Sequence, residues 1–224
     1  MQHPFSCTVT TYQGLERSLS EPRLGRYLGA ANGDKHYALR LYVWNAQLCE
    51  AFYLPMQIAE VCARNAIHRV LIEHHKSDWF NRGGFLCTLP KRLRDELDSA
   101  IKDAREKHGA GMTTNYVVAG LSFGFWVHLL TKNYDGVFWP TYYPSSFPNL
   151  PRGTTREILY ERLDRLRLFR NRIAHHKPIF DHRPRGEYLS ILELIGWSCA
   201  ETEWFARAVA KIDQAITAKP RPLV

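Results

Sequence analysis

Apolar residues recur along most of this chain at spacings of three and four, and no run alternates polar with β-branched residues over the length of a strand. The pattern predicts an all-α protein. Ser20-Glu21-Pro22 reads as a helix start, an N-cap with proline in the first turn, and Gly25 and Gly29 keep that helix short. From His36 to Glu73 the periodicity is helical, with Leu39, Val43, Ala46 and Ala51 setting one face and Pro55 dividing the segment or kinking it. Pro90 to Lys107 predicts an exposed helix closed by His108-Gly109. Thr113 to Thr131 predicts a buried helix whose face is Val117, Leu121, Trp126 and Leu129. Residues 133–153 set Pro140, Pro144, Pro148 and Pro151 among aromatics, which predicts a packed loop rather than a helix. Thr154 or Thr155 caps the next helix, which runs to about His176 and stops before Pro178. A last helix, roughly Glu187 to Ala218, carries Leu189, Leu192, Ile195, Trp197 and Trp204. The expectation is a bundle of about six or seven helices in one folding unit, residues 1–224, since no repeat or low-complexity run divides it.

Composition narrows the class. With 45% apolar and 23% charged residues over 224 positions, the chain is ordinary globular material with enough length to bury a core. The most apolar stretch, Tyr116 to Leu130, is shorter than the roughly 20 residues a membrane span needs and contains His128, so no membrane span is expected. The N-terminus MQHPFSCTVT lacks the basic and apolar regions of a secretory leader. Five cysteines, an odd number with no CxxC pair, argue against a disulfide framework and against a cysteine zinc site. These features point to the cytoplasm.

Charge directs attention to one region. The formal net charge is +8 and the pI is near 9.3, a balance that favours a polyanionic partner, nucleic acid first. Between Arg152 and Arg185 ten basic residues face four acids, a local excess of six, and nine of the ten are arginines, whose planar donor forks suit phosphate. Such a run is also what a solvated helix face looks like.

Within that run lies Leu168-Phe169-Arg170-Asn171-Arg172-Ile173-Ala174-His175-His176-Lys177-Pro178-Ile179-Phe180. At about 100° per residue, Leu159, Leu163, Leu166, Phe169 and Ile173 form one apolar stripe, and Arg170 falls within roughly 40° of its centre. Asn171 and His175 are four apart and share a face, so the amide can orient the imidazole. Arg170 and His175 are five apart, about 140° around an ideal helix. To meet at one phosphate they need the arginine's reach, a loosened last turn or a second subunit. Histidine takes and gives protons near neutrality, and arginine stabilises charge developing on a phosphorane oxygen. The pair suits metal-free cleavage of RNA, in which the ribose 2′-OH attacks its own phosphate and leaves a 2′,3′-cyclic phosphate and a 5′-OH. A symmetric dimer facing two such segments would supply the second histidine that combined base and acid catalysis needs. The plainer alternative is that Arg170 pairs with an acid inside the bundle while His175 and His176 merely end a helix. Adjacent histidines without an HxxxH or HExxH partner give no metal site. A second polar cluster holds Arg64, Asn65, His68 and Arg69, with Arg64 and His68 one turn apart. It is either an RNA-contacting, site-supporting face or a buried network joining helices, and it serves as both if it buttresses the Arg170 helix.

Arg170-Asn171-x-x-x-His175 resembles the signature of HEPN ribonucleases, an arginine and a histidine with four to six residues between them, including the favoured asparagine after the arginine. The longer string RNRIAHHKPIF, Arg170 to Phe180, is similar to the C-terminal motif of Abi-like proteins, the abortive-infection family of bacterial phage-defence and toxin-like proteins. ARNAIHRVLIE, Ala63 to Glu73, resembles that family's other recurrent block, and Leu19-Ser20-x-Pro22-Arg23-Leu24-x-x-Tyr27-Leu28 its N-terminal opening. The blocks are in family order and span residues 19–180. The resemblance implies an all-α HEPN-like fold and a cofactor-free ribonuclease site at Arg170 and His175, usually built at a homodimer interface. It also implies an antitoxin protein or RNA as a restraining partner. Asn171 would hold the imidazole, and His176, Lys177 and Arg172 would contact RNA. The chain departs from the pattern at Lys177, where the family carries an acid after the histidine pair. A non-catalytic RNA-binding or regulatory module is the alternative, and a protein-interaction bundle a more distant one.

Overall fold

The computed structural model describes residues 8–222 except Pro140. Met1 to Cys7, most of the stretch read above for a leader, lie outside the described residues, as does Pro140 of the proline-rich loop. Among the described residues the chain is all-helical, with no strand.

A long helix organises the molecule. After α1 (Val9–Leu19) and α2 (Glu21–Ala30), a turn through Asn32 and Gly33, both at positive φ, leads to Asp34. The Asp34 side chain accepts from the Tyr37 N–H at 3.0 Å and starts α3 (Lys35–His75). This helix has 41 residues, about 60 Å at 1.5 Å per residue. It runs through Pro55 as one helix, so of the two outcomes expected there the division does not occur. Helices that precede and follow it in the chain pack against it on several sides. A helix packed on several sides is apolar on several faces, and for that reason its periodicity misleads. The side chains that carry the core are Leu41, Trp44, Leu48, Phe52, Met56, Ala59, Ala63 and Ile67. Of the expected face, only Leu39 is buried, and Ala46 is exposed.

The remaining helices are shorter and more numerous than six or seven: thirteen α-helical segments are present among the described residues. α4 (Gly83–Leu86) precedes α5 (Lys91–His108), whose Leu93, Leu97, Ala100, Ile101 and Ala104 form its buried face. The expected buried helix at 113–131 is two, α6 (Thr114–Gly120) and α7 (Phe123–His128). Gly120 lies so close to α5 that a Cβ there would stand 3.2 Å from the Ala100 Cβ. Ser122 then breaks the ladder by capping α7, accepting from the Phe125 N–H at 3.3 Å, while its own N–H goes to Glu96 Oε1 at 2.8 Å. The face residues Val117, Leu121, Trp126 and Leu129 are nevertheless all buried.

The aromatic loop at 133–153 is packed as expected but contains two single-turn helices, α8 (Asp135–Phe138) and α9 (Tyr143–Ser146). The Tyr143 hydroxyl, fully enclosed, donates to the Leu129 carbonyl at 2.8 Å. After α10 (Arg156–Ala174), the expected terminal helix is three: α11 (Pro184–Ser198), α12 (Ala200–Val209) and α13 (Ile212–Thr217). Extended backbone at Cys199 and Ala210 makes the corners, and neither residue type announces a break. The new helix direction leaves Trp204 exposed, while Leu192, Ile195 and Trp197 stay in the core.

Candidate functional site

α10 begins where Thr155 accepts from the Ile158 N–H at 3.2 Å. Leu159, Leu163, Leu166 and Phe169 are buried, as the stripe requires, and Phe169 meets Phe52 of α3 edge-on at 4.9 Å. The helix ends tightly. The His175 N–H donates to the Asn171 carbonyl, the His176 N–H to Ile173, and the Lys177 N–H to Arg172, a Schellman closure with His176 in the left-handed region at φ 54°. Glycine is the usual occupant of that position, and a histidine there is strained.

The chain that follows is pinned at several points. Asn45 of α3, only 5% exposed, accepts through Oδ1 from the Ile179 N–H at 2.7 Å and from the Phe180 N–H at 3.2 Å. Arg23 of α2 donates to the His176 carbonyl at 2.8 Å, and Arg172 donates to the Pro178 carbonyl at 2.6 Å. Arg26 pairs with Asp181, and the Tyr27 and Phe180 rings lie 5.3 Å apart. Burial alone would raise the Asp181 pKa, but hydrogen bonding and charge from Arg26, helped by backbone donation and His182, outweigh it and hold the carboxyl below its usual range.

Arg170 leaves the apolar stripe sideways. Its Nε lies 3.1 Å from Glu60 Oε1 on α3, its Nη1 donates to Asn171 Oδ1 at 3.4 Å, and the side chain remains 48% exposed. Burial raises the Glu60 pKa, opposed by the charges of Arg170 and Arg64. Asn171 therefore gives its side-chain oxygen to Arg170, and the bond it makes with His175 is through its backbone carbonyl. Glu60, Arg170 and Arg64 share one hollow, so part of the second polar cluster does sit beside the Arg170 helix. Asn65 accepts from Arg64 at 3.4 Å and is exposed. His68 turns inward, between the Trp79 and Trp126 rings at 6.0 and 6.1 Å, and its buried Nε2 has no partner. Burial and the nearby charges of Arg64 and Arg69 lower its pKa.

Three hollows flank the C-terminal half of α10. The largest, about 720 Å³, is lined by His175 with Asn171, Arg172, Lys177 and His182. His176 lies outside that lining and borders a separate hollow with Arg23 and Tyr27. Arg170 lines the other two hollows along α10, of about 250 and 360 Å³, and not the His175 hollow. Within one chain, then, Arg170 and His175 face different spaces, with Asn171 on the crest between them. The local charge excess is also smaller than it reads, because acids from outside the run reach in. Arg156 pairs with Asp135, Arg162 with Glu193, Arg165 with Glu187, Arg170 with Glu60, and Arg185 with Asp213.

Glu60, Asn45 and Arg26 have no sequence signature as site residues, since each acts across the fold. Arg23 and Tyr27 do fall inside the N-terminal block quoted above. Among the described residues no group of three or more histidine, cysteine, aspartate or glutamate side chains is placed to hold a metal ion, and no helix is long and apolar enough to cross a membrane. Comparison with family models, with curated proteins and with solved structures finds no match to this chain.

Proposed function

We propose that this chain is an Abi-like HEPN ribonuclease, a metal-independent endonuclease of RNA acting as a toxin-like protein in bacterial phage defence. The observation that carries the reading is the meeting of three distant sequence blocks at one corner. Arg23 and Tyr27 of the first hold the segment after His175, and Arg64 of the second borders the Glu60–Arg170 pair. The third presents Arg170, Asn171 and His175 at an exposed, cationic helix end. Residues so distant in sequence are spent on fixing the place where the resemblance puts the chemistry.

In this mechanism a histidine takes the ribose 2′-OH proton while the 2′-oxygen bonds to phosphorus. Arg170 stabilises the phosphorane charge, and the 5′-oxygen leaves with a proton from a second histidine. Because Arg170 and His175 face different hollows in one chain, the reacting set is a two-fold dimer that sets the two segments face to face, so that each chain's His175 supplies one of the two histidines and each chain's Arg170 one of two arginines. Arg172, Lys177 and His176 contact phosphates around it. An RNA whose cut position carries a 2′-deoxyribose should resist cleavage while its all-ribose counterpart is cut. Equal cleavage of the two would overturn the mechanism.

The Arg170–Glu60 ion pair favours a second reading, a regulatory RNA-binding module with the same surface and no chemistry. It predicts binding that weakens with salt and leaves the RNA whole.

A further inference from the structure

Arg170 and Phe123 stand between two hollows of opposite character. One, about 250 Å³, is walled by apolar side chains, with Phe123, Trp126 and Ile173 behind and Tyr53 at its mouth, 68% exposed. Its polar groups are Gln57, Glu60 and Arg64 beside Arg170, and Glu60 is the only acid among them. The other, about 360 Å³, is polar and collects Arg92, Arg167 and Arg170 with Ser122 and Asn171. Its one acid, Asp164, already pairs with Arg167 at 2.7 Å. An apolar, aromatic-edged hollow with a carboxylate in its wall suits a nucleobase, and an adjoining hollow with surplus guanidinium suits that nucleotide's phosphate.

We infer that these adjoining hollows form a nucleotide subsite, with the phosphate among Arg92, Arg167 and Arg170 and the base in the pocket beside Glu60. The carboxylate selects the base. Glu60 Oε1 is engaged by Arg170, yet a carboxylate offers about four acceptor positions. Guanine presents two neighbouring donors, N1–H and the 2-amino group. Adenine and cytosine present one amine next to an acceptor nitrogen, which repels a carboxylate, and uracil one N–H between two carbonyls. Guanine is therefore the preferred base. Tyr53 closes over its open face, as aromatic side chains do with unpaired bases. The inference rests on the proposed reading of this corner as an RNA surface. It places the base-recognising pocket across α10 from the His175 hollow, so that a bound strand crosses the Arg170–Asn171 crest.

The test is titration of the full chain with 5′-GMP, 5′-AMP, 5′-UMP and inorganic phosphate, and with a short RNA containing one guanosine, by calorimetry. Saturable GMP binding, stronger than AMP or UMP binding and displaced by phosphate, is expected. Arg92→Ala, at an exposed position, should weaken GMP and phosphate together by about tenfold or more, with partial rescue in Arg92→Lys. Glu60→Gln should erase the preference for GMP over AMP while leaving phosphate binding in place. Affinity for the RNA far above that for GMP identifies a strand as the natural source, and equal affinity identifies a free nucleotide. No saturable GMP binding, or binding unchanged in Arg92→Ala, overturns the subsite. Cleavage assays on the same samples separate the two ideas, since RNA cutting without GMP binding removes only the subsite, and GMP binding without cutting removes only the nuclease.

Discussion

Replacing Asn45 with alanine should loosen the segment that follows the candidate catalytic histidine. The Asn45 side chain, 5% exposed, is the acceptor for two consecutive backbone donors, Ile179 N–H and Phe180 N–H. Ile179 is fully buried, so its N–H loses its acceptor with no water to replace it, a penalty of about 1–3 kcal/mol. Phe180 is only partly buried and solvent can compensate it in part, which adds about 0.5–1 kcal/mol. The sum, about 1.5–4 kcal/mol, corresponds to a fall in Tm of about 3–16 °C for a chain of this size. Aspartate restores the acceptor but places a charge in the interior, so Asn45→Asp should recover part of the loss at acidic pH and less at neutral pH. Thermal unfolding followed by circular dichroism gives the total, and amide hydrogen exchange at Ile179 and Phe180 shows whether the loss is local. A change under about 0.5 kcal/mol, with protection at Ile179 intact, would refute the claim that Asn45 holds this segment.

Other perturbations test the same corner independently. His176→Gly should raise stability by up to about 1 kcal/mol in urea unfolding, because glycine relieves the left-handed strain while the carbonyl that Arg23 grips is kept. The Asp181 carboxyl is held below its usual range, so its contribution is present above the unfolded pKa of about 3.9 and is lost as pH falls through the folded value. Arg26→Ala should bring the carboxyl's NMR titration back toward the ordinary range. His68 has a lowered pKa, so its contribution is full above about pH 6.5 and declines as the buried imidazole is forced to charge at lower pH. His68→Phe, which keeps a ring between Trp79 and Trp126, should flatten the stability loss that sets in below about pH 6.5, and an unchanged slope would assign it to another group.

Where chemistry is local, the sequence was enough. α10 shows its apolar stripe, its threonine cap and its stop before Pro178, because each depends on neighbours within a turn or two. The expected face of α3, Leu39, Val43, Ala46 and Ala51, is not its buried stripe, because a helix enclosed by several others has no single face to find. The break at Ser122 and the corner at Cys199 follow from packing, from Gly120 against Ala100 and from α12 turning back on α11. α1 has no apolar stripe in the sequence, because Val9–Leu19 is polar and buries only Tyr12 fully. At the site, Arg170, Asn171 and His175 are legible from spacing and resemblance. Glu60, Asn45 and Arg26 are not, since an ion pair or a buried amide across the fold leaves no periodicity behind.

The central claim is that Arg170 and His175 carry metal-independent RNA cleavage. Its most direct test incubates EDTA-treated protein with a mixed RNA pool, wild type beside Arg170→Ala and His175→Ala, each checked for folding, and analyses the product ends. The account predicts 2′,3′-cyclic phosphate and 5′-OH ends from wild type alone. Cleavage of equal rate and identical ends by folded His175→Ala, or intact RNA in every tube with RNA binding retained, would contradict it.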